Sequence, residues 1–304
     1  MLRSARPMTS GRVPMPWRRC VVLAALVIAG ASAIGAARPG AGGAAPPAVV
    51  TGAFVWHDLV TPDPAGSRAF YKALFNWTFE DGKGIDPGYT IIRHEGQPIG
   101  GIVPLQRSGA DAPTAQWLAY VTVPDVDRTA GMFRDAGGRV IRDPVNARKD
   151  LRVAVVSDPQ GAPLGLASRG PGGDDGRVPG LNRWLWMDYV ARDPATALSF
   201  YGSAVGFRNE VHETRDTFVY YLLSSDRPRA GLFLSPWTRD TAAWLPYVRV
   251  ADPAAAAARV TELGGTVVVA PQPRVRNSSL AIVLDPSGAP LALQRYPFEP
   301  GATP

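Results

Sequence analysis

From residue 54 onward, apolar and polar positions fall into a recurring order. Residues 54–60 form a strand pattern, Phe-Val-Trp-His-Asp-Leu-Val. Asp63 then offers a side-chain acceptor to free helix amides, and Pro64 suits the first helical position, where no N–H is needed. Ala69, Phe70, Ala73 and Leu74 keep helical spacing. Three short strands are predicted over 77–80, 89–93 and 98–105, parted by turn residues. The order then recurs: a strand at 117–123, a cap at Asp125, and a helix holding Val126, Met132 and Phe133 that stops before Gly137-Gly138. Strands follow at 139–144, 151–157 and 163–167. Asp158-Pro159-Gln160-Gly161 makes a tight turn in which glycine is free to take positive φ. The unit is therefore strand–helix–strand–strand–strand.

The whole arrangement is then repeated. Trp56, Asp58, Val60, Asp63-Pro64-Ala65 and Phe70-Tyr71 recur 130 residues later as Trp186, Asp188, Val190, Asp193-Pro194-Ala195 and Phe200-Tyr201. Trp117-Leu118, Tyr120-Val121, Gly137-Gly138 and Asp158-Pro159-Gln160-Gly161-Ala162-Pro163 recur 127 residues later, from Trp244-Leu245 to Asp285-Pro286-Ser287-Gly288-Ala289-Pro290. Two series in one order, with nearly equal shifts, mark a duplication. The predicted class is α+β, with four βαβββ modules in two domains, at 51–169 and 181–298, joined by a Gly/Pro/Asp-rich linker at 170–180.

Residues 1–37 form a leader. Arg18-Arg19 precede an unbroken run of 18 apolar or small residues, Cys20 to Ala37, with a small-residue exit at Ala31-Ser32-Ala33. This is the layout of an export signal or, if uncleaved, of an N-terminal membrane anchor. Either places the body outside the cytoplasm, because the arginines precede the apolar run. Residues 38–50 form a flexible linker.

The leader also accounts for the charge. The chain carries 32 Lys+Arg against 26 Asp+Glu, but six of those arginines lie among residues 1–38, where no acid occurs. The body is neutral, so nucleic acid is not an expected partner. One cysteine excludes an intramolecular disulfide framework and any CxxC site. No Gly-x-Ser-x-Gly elbow, phosphate-binding glycine loop or HExxH pair is present.

The Trp-x-Asp-[Leu/Tyr]-Val-x-x-Asp-Pro-Ala openings with Phe-Tyr, the Gly-Gly pairs and the Asp-Pro-x-Gly turns resemble the vicinal oxygen chelate superfamily, in its glyoxalase/bleomycin-resistance branch. The resemblance implies that two modules pair and their sheets curl around a cup. In metal-dependent members of that superfamily, His and Glu hold a divalent ion that polarises a chelating substrate. Carried onto this chain, the ligand positions fall on Trp56, Trp186, Leu118, Leu245, Gly165 and Ala292, none with a side chain able to bind an ion. The chain has three histidines: His94, at a hairpin, and His212, near a strand end, are expected at the surface. His57 is one residue out of register, which points it to the opposite face of its strand.

Strand alternation puts Trp56, Asp58, Tyr120 and Thr122 toward the first cup, and Trp186, Asp188, Tyr247 and Arg249 toward the second. Aromatic walls with a few polar groups suit a small organic ligand bound without cofactor. The tryptophans serve equally well as core filling, and the aspartates as acceptors for neighbouring donors. Two further readings stand: a metal-dependent lyase or dioxygenase using His57 with Asp58 and Glu95, and a structural module with filled cups. The duplication makes an internal pseudo-dimer, so a monomer suffices, and contact with a membrane is expected only through the leader.

Overall fold

A computed structural model describes residues 50–82, 87–105, 115–170, 177–237 and 242–297. The leader and most of the 38–50 linker lie outside the described residues. Among the described residues no helix is long and apolar enough to cross a membrane.

The four predicted modules are all present. The first comprises β1 (Phe54–Thr61), α1 (Pro64–Phe75), β2 (Thr78–Asp81), β3 (Thr90–His94) and β4 (Gln97–Pro104); the second, β5 (Gln116–Thr122), α2 (Val126–Asp135), β6 (Arg139–Arg148), β7 (Leu151–Ser157) and β8 (Pro163–Ala167). The second copy supplies β9 (Trp184–Ala191), α3 (Pro194–Ala204), β10 (Arg208–Arg215), β11 (Phe218–Ser224) and β12 (Pro228–Leu234). It ends with β13 (Ala243–Arg249), α4 (Pro253–Glu262), β14 (Thr266–Val269), β15 (Leu280–Leu284) and β16 (Pro290–Gln294). Each helix starts at an aspartate whose side chain accepts a backbone N–H of the first turn: Asp63, Asp125, Asp193 and Asp252.

Modules pair within a copy. The sheet orders are β2-β3-β4-β1-β5-β8-β7-β6 and β10-β11-β12-β9-β13-β16-β15-β14. The opening strands of two modules meet antiparallel at the centre, with Trp56 opposite Tyr120 and Trp186 opposite Tyr247. β6 runs past the expected end at residue 144. As the last strand of its sheet it can hold Pro144, which donates to no neighbour, and its register shifts at several points.

The helix-covered faces of the two sheets pack against each other. Residues of the second module pack with those of the third, including Phe133, Phe200, Tyr201 and Trp244, while the first module packs with the fourth through Tyr71, Trp77, Trp117 and Val260. The repeated motifs meet in this layer. Tyr71 donates to Asp285 (3.0 Å) and accepts from Trp117 Nε1 (3.2 Å). In the reciprocal position Tyr201 donates to Asp158 (2.8 Å) and accepts from Trp244 Nε1 (3.0 Å), and Tyr189 also donates to Asp158. Each Asp-Pro-x-Gly turn thus receives the tyrosine of the other copy's Phe-Tyr pair. The opposite, concave faces carry two separate clusters, one per copy.

Candidate functional site

In the first concave face, β1 and β5 bring Trp56, Asp58, Leu118 and Tyr120 together, and β3 adds Ile91, with Tyr89 just before it. Asp58 is 0% exposed. Its Oδ1 accepts from Trp56 Nε1 (2.9 Å) and from the Tyr89 hydroxyl (2.8 Å). Tyr89 reaches the carboxylate across Gly101, which pairs with Asp58 in the register of β1 and β4. A Cβ on Gly101 would lie 1.9 Å from the tyrosine oxygen and 2.5 Å from Oδ1. Asp58 Oδ2 and the Tyr120 hydroxyl are both buried without a hydrogen-bond partner.

The second face repeats the plan with one more bond. Asp188, also 0% exposed, accepts at Oδ1 from Trp186 Nε1 (2.9 Å) and Tyr220 (2.6 Å), and at Oδ2 from Tyr247 (2.5 Å). Gly231 plays the part of Gly101. The Arg276 guanidinium lies 5.1 Å from the Tyr220 ring centroid, carried by a turn whose residues 276–278 all take left-handed φ of 44°, 49° and 61°. Phe218 at this face is 41% exposed.

Burial raises the Asp58 carboxyl to about 6, with the Tyr89, Trp56 and Tyr120 donors opposing part of that rise. Tyr89 and Tyr120 are driven well above the ordinary phenol range, by burial first and by the neighbouring Asp58 charge second. They are proton donors, not phenolates. For Arg276, burial opposes the charge, but Tyr247, Asp188 and Tyr220 outweigh it and hold the guanidinium protonated.

Of the residues expected in the cups, Trp56, Asp58 and Tyr120 converge, as do Trp186, Asp188 and Tyr247. Thr122 and Arg249 do not join them. The Thr122 hydroxyl bonds the backbone of Val50 and Ala53, and Arg249 donates to the carbonyls of Pro179 and Tyr296 (both 2.6 Å). Both stand at strand ends, where alternation still sets the face but the chain termini and linker supply the nearest acceptors. Tyr89, Tyr220 and Arg276 were not expected. The available signal was a glycine inside a strand, Gly101 and Gly231, marking a close approach.

The histidines are distributed differently from expectation in two cases. His94 is buried, not at the surface: the linker folds over it, and its Nε2 lies 3.0 Å from the Leu181 carbonyl oxygen. His212 is exposed but sits inside β10 at a register shift, with its ring 6.3 Å from that of Tyr220. His57 points away from the cup, as its register requires. It stacks on Trp184 (4.1 Å between centroids) in the layer between the copies and contacts Met187 sulfur at 3.4 Å. Burial alone pushes it down to about 3. Glu95 lies in an exposed turn, so His57, Asp58 and Glu95 do not share a point.

The model for the glyoxalase-like domain family matches residues 54–167 and 184–294. A Mycobacterium tuberculosis (strain CDC 1551 / Oshkosh) protein named "Putative glyoxylase CFP32" is 28% identical over 242 residues, 77% of this chain and 91% of that protein. The anthracycline biosynthesis protein DauV of Streptomyces sp. (strain C5) is 30% identical over 267 residues, 78% of this chain and 91% of its own length. The Mn(II)-bound glyoxalase from Novosphingobium aromaticivorans superposes with a TM-score of 0.56 at 14% identity, covering 81% of this chain and 82% of that one. For the 2,2',3-trihydroxybiphenyl 1,2-dioxygenase of Sphingomonas wittichii strain RW1 the TM-score is 0.55 at 14% identity, with 81% and 91% covered. These two structures speak to the fold.

A resident divalent ion does not fit the donors in either cup. Each offers one carboxylate, already engaged by indole and phenol hydrogens, and the tyrosines hold their protons. Oxygen- or nitrogen-ligated ions need several deprotonated or lone-pair donors around one point. Among the described residues no group of three His, Cys, Asp or Glu is so placed.

Proposed function

The chain belongs to the glyoxalase-like domain family of the vicinal oxygen chelate superfamily, and from that premise we propose that it binds a small organic molecule in an aromatic cup without a resident metal ion. The observation that carries this reading is the buried carboxylate at each cup centre, ringed by one indole and two phenols. Such a group is costly to bury and orients whatever shares its hollow. The name of the Streptomyces relative, an anthracycline biosynthesis protein, makes fused-ring, hydroxylated aromatics the first class to test. The protein works outside the cytoplasm, exported or tethered through residues 1–37, and touches a membrane only there.

Titration of the full chain with neutral aromatics that include a dihydroxyanthraquinone, followed by tryptophan fluorescence and thermal shift, tests the binding reading. Saturable binding with a raised melting temperature is expected. No saturable binding by any member removes it. Elemental analysis of protein purified without chelators tests the metal-dependent lyase or dioxygenase reading: a stoichiometric divalent ion would put that reading in its place.

A further inference from the structure

The two cups share a plan but differ at a single bond. In the second, Tyr247 closes on Asp188 Oδ2 at 2.5 Å. In the first, the equivalent oxygen, Asp58 Oδ2, and the equivalent hydroxyl, that of Tyr120, are buried and unpaired. The residue facing each tyrosine explains the difference. Tyr120 pairs in register with Gly165, and Tyr247 with Ala292. A Cβ on Gly165 would fall 2.2 Å from Tyr120 Cδ1 and 2.5 Å from its Cγ. The Tyr120 ring therefore occupies the space that the Ala292 methyl takes from Tyr247. One missing methyl lets the first tyrosine settle away from its carboxylate, and the presence of that methyl holds the second against its own.

Resting on the reading of the cups as binding sites, we propose that the first cup, and not the second, takes the ligand, a neutral molecule held by one hydroxyl group seated between Asp58 Oδ2 and the Tyr120 hydroxyl. A hydroxyl is the smallest group that satisfies both at once: its hydrogen goes to Oδ2 while its oxygen accepts from Tyr120. An anionic ligand would meet the Asp58 charge, and a hydrocarbon would leave both groups unpaired. In the second cup both carboxylate oxygens are already engaged, and Arg276 lies over Tyr220. That cup has no free acceptor to offer.

The test uses the full chain with naphthol, naphthalene and naphthoate as probes, followed by calorimetry and tryptophan fluorescence. Naphthol should bind at one site per chain, about tenfold or more tighter than naphthalene or naphthoate. Tyr120→Phe, which keeps the ring, should erase most of that advantage and leave naphthalene unchanged. Gly165→Ala should weaken naphthol by a similar factor. In ligand-free protein it should also lower the carboxyl titration of Asp58 seen by carbon NMR, as Tyr120 is pushed onto Oδ2. Equal binding of naphthol and naphthalene, two naphthol sites per chain, or indifference to Tyr120→Phe overturns the proposal while leaving the cups as binding sites. Absence of binding by every aromatic tried overturns both.

Discussion

Asp58 and His57 are neighbours on β1 that face opposite ways, and burial acts on them with opposite sign. The Asp58 carboxyl sits at about 6 against an ordinary 3.8. Its folded value is the higher, so its stabilising contribution is complete below about 3.8 and is lost as pH rises through about 6, on the order of 3 kcal/mol. His57 sits at about 3 against 6.5. Its folded value is the lower, so its contribution is present above 6.5 and is lost as pH falls toward 3, on the order of 5 kcal/mol. The histidine has the larger shift and dominates between pH 6 and 4. In urea unfolding across that range, Asp58→Asn should steepen the acid loss of stability, and His57→Phe should flatten or reverse it. An Asp58→Asn profile parallel to wild type would contradict the assignment.

The period-two pattern of β1 and β5 reveals Trp56, Asp58 and Tyr120 because those side chains share a face by local geometry alone. Tyr89 was hidden because its approach depends on the pairing of β1 with β4 and on Gly101 at the crossing point, a long-range register no local pattern encodes. His94 was misjudged for the same reason, since the residues that cover it come from the linker near Leu181. Helix starts were legible at Asp63, Asp125 and their repeats, where cap and first turn are contiguous in sequence. Strand ends were less so, as β6 shows by running through Pro144 at the edge of its sheet. The crossing at Gly101 yields its own prediction. Gly101→Ala would place a methyl where the Tyr89 oxygen lies, expelling the phenol from Asp58 and leaving Trp56 as the only donor to Oδ1. A loss on the order of 2–3 kcal/mol is expected, read as a lowered urea midpoint with unchanged slope. Tyr89→Phe, which removes the oxygen and spares the backbone, should lower the midpoint less.

The duplication makes sense of the motifs that the cups do not use. Phe-Tyr, Trp-Leu and Asp-Pro-x-Gly recur because they meet across the layer between the copies, where each copy's turn takes a phenol hydrogen from the other. The two clamps are unequal. Asp158 Oδ2 accepts from both Tyr189 and Tyr201, whereas Asp285 Oδ2 accepts from Tyr71. Burial raises both carboxyls, so neither tolerates the loss of a donor cheaply. Tyr71→Phe removes that donor from Asp285 and strands the Trp117 indole N–H. Tyr189→Phe leaves Tyr201 on Asp158 and strands no indole. Tyr71→Phe should therefore cost on the order of 2–4 kcal/mol and Tyr189→Phe about 1 kcal/mol. The loss in Tyr71→Phe should appear first as faster hydrogen exchange in the first and fourth modules, whose packing that clamp joins. Equal losses in the two variants, or exchange that speeds up only around Asp158, would show that the copies are held together by apolar contact and not by these carboxylates.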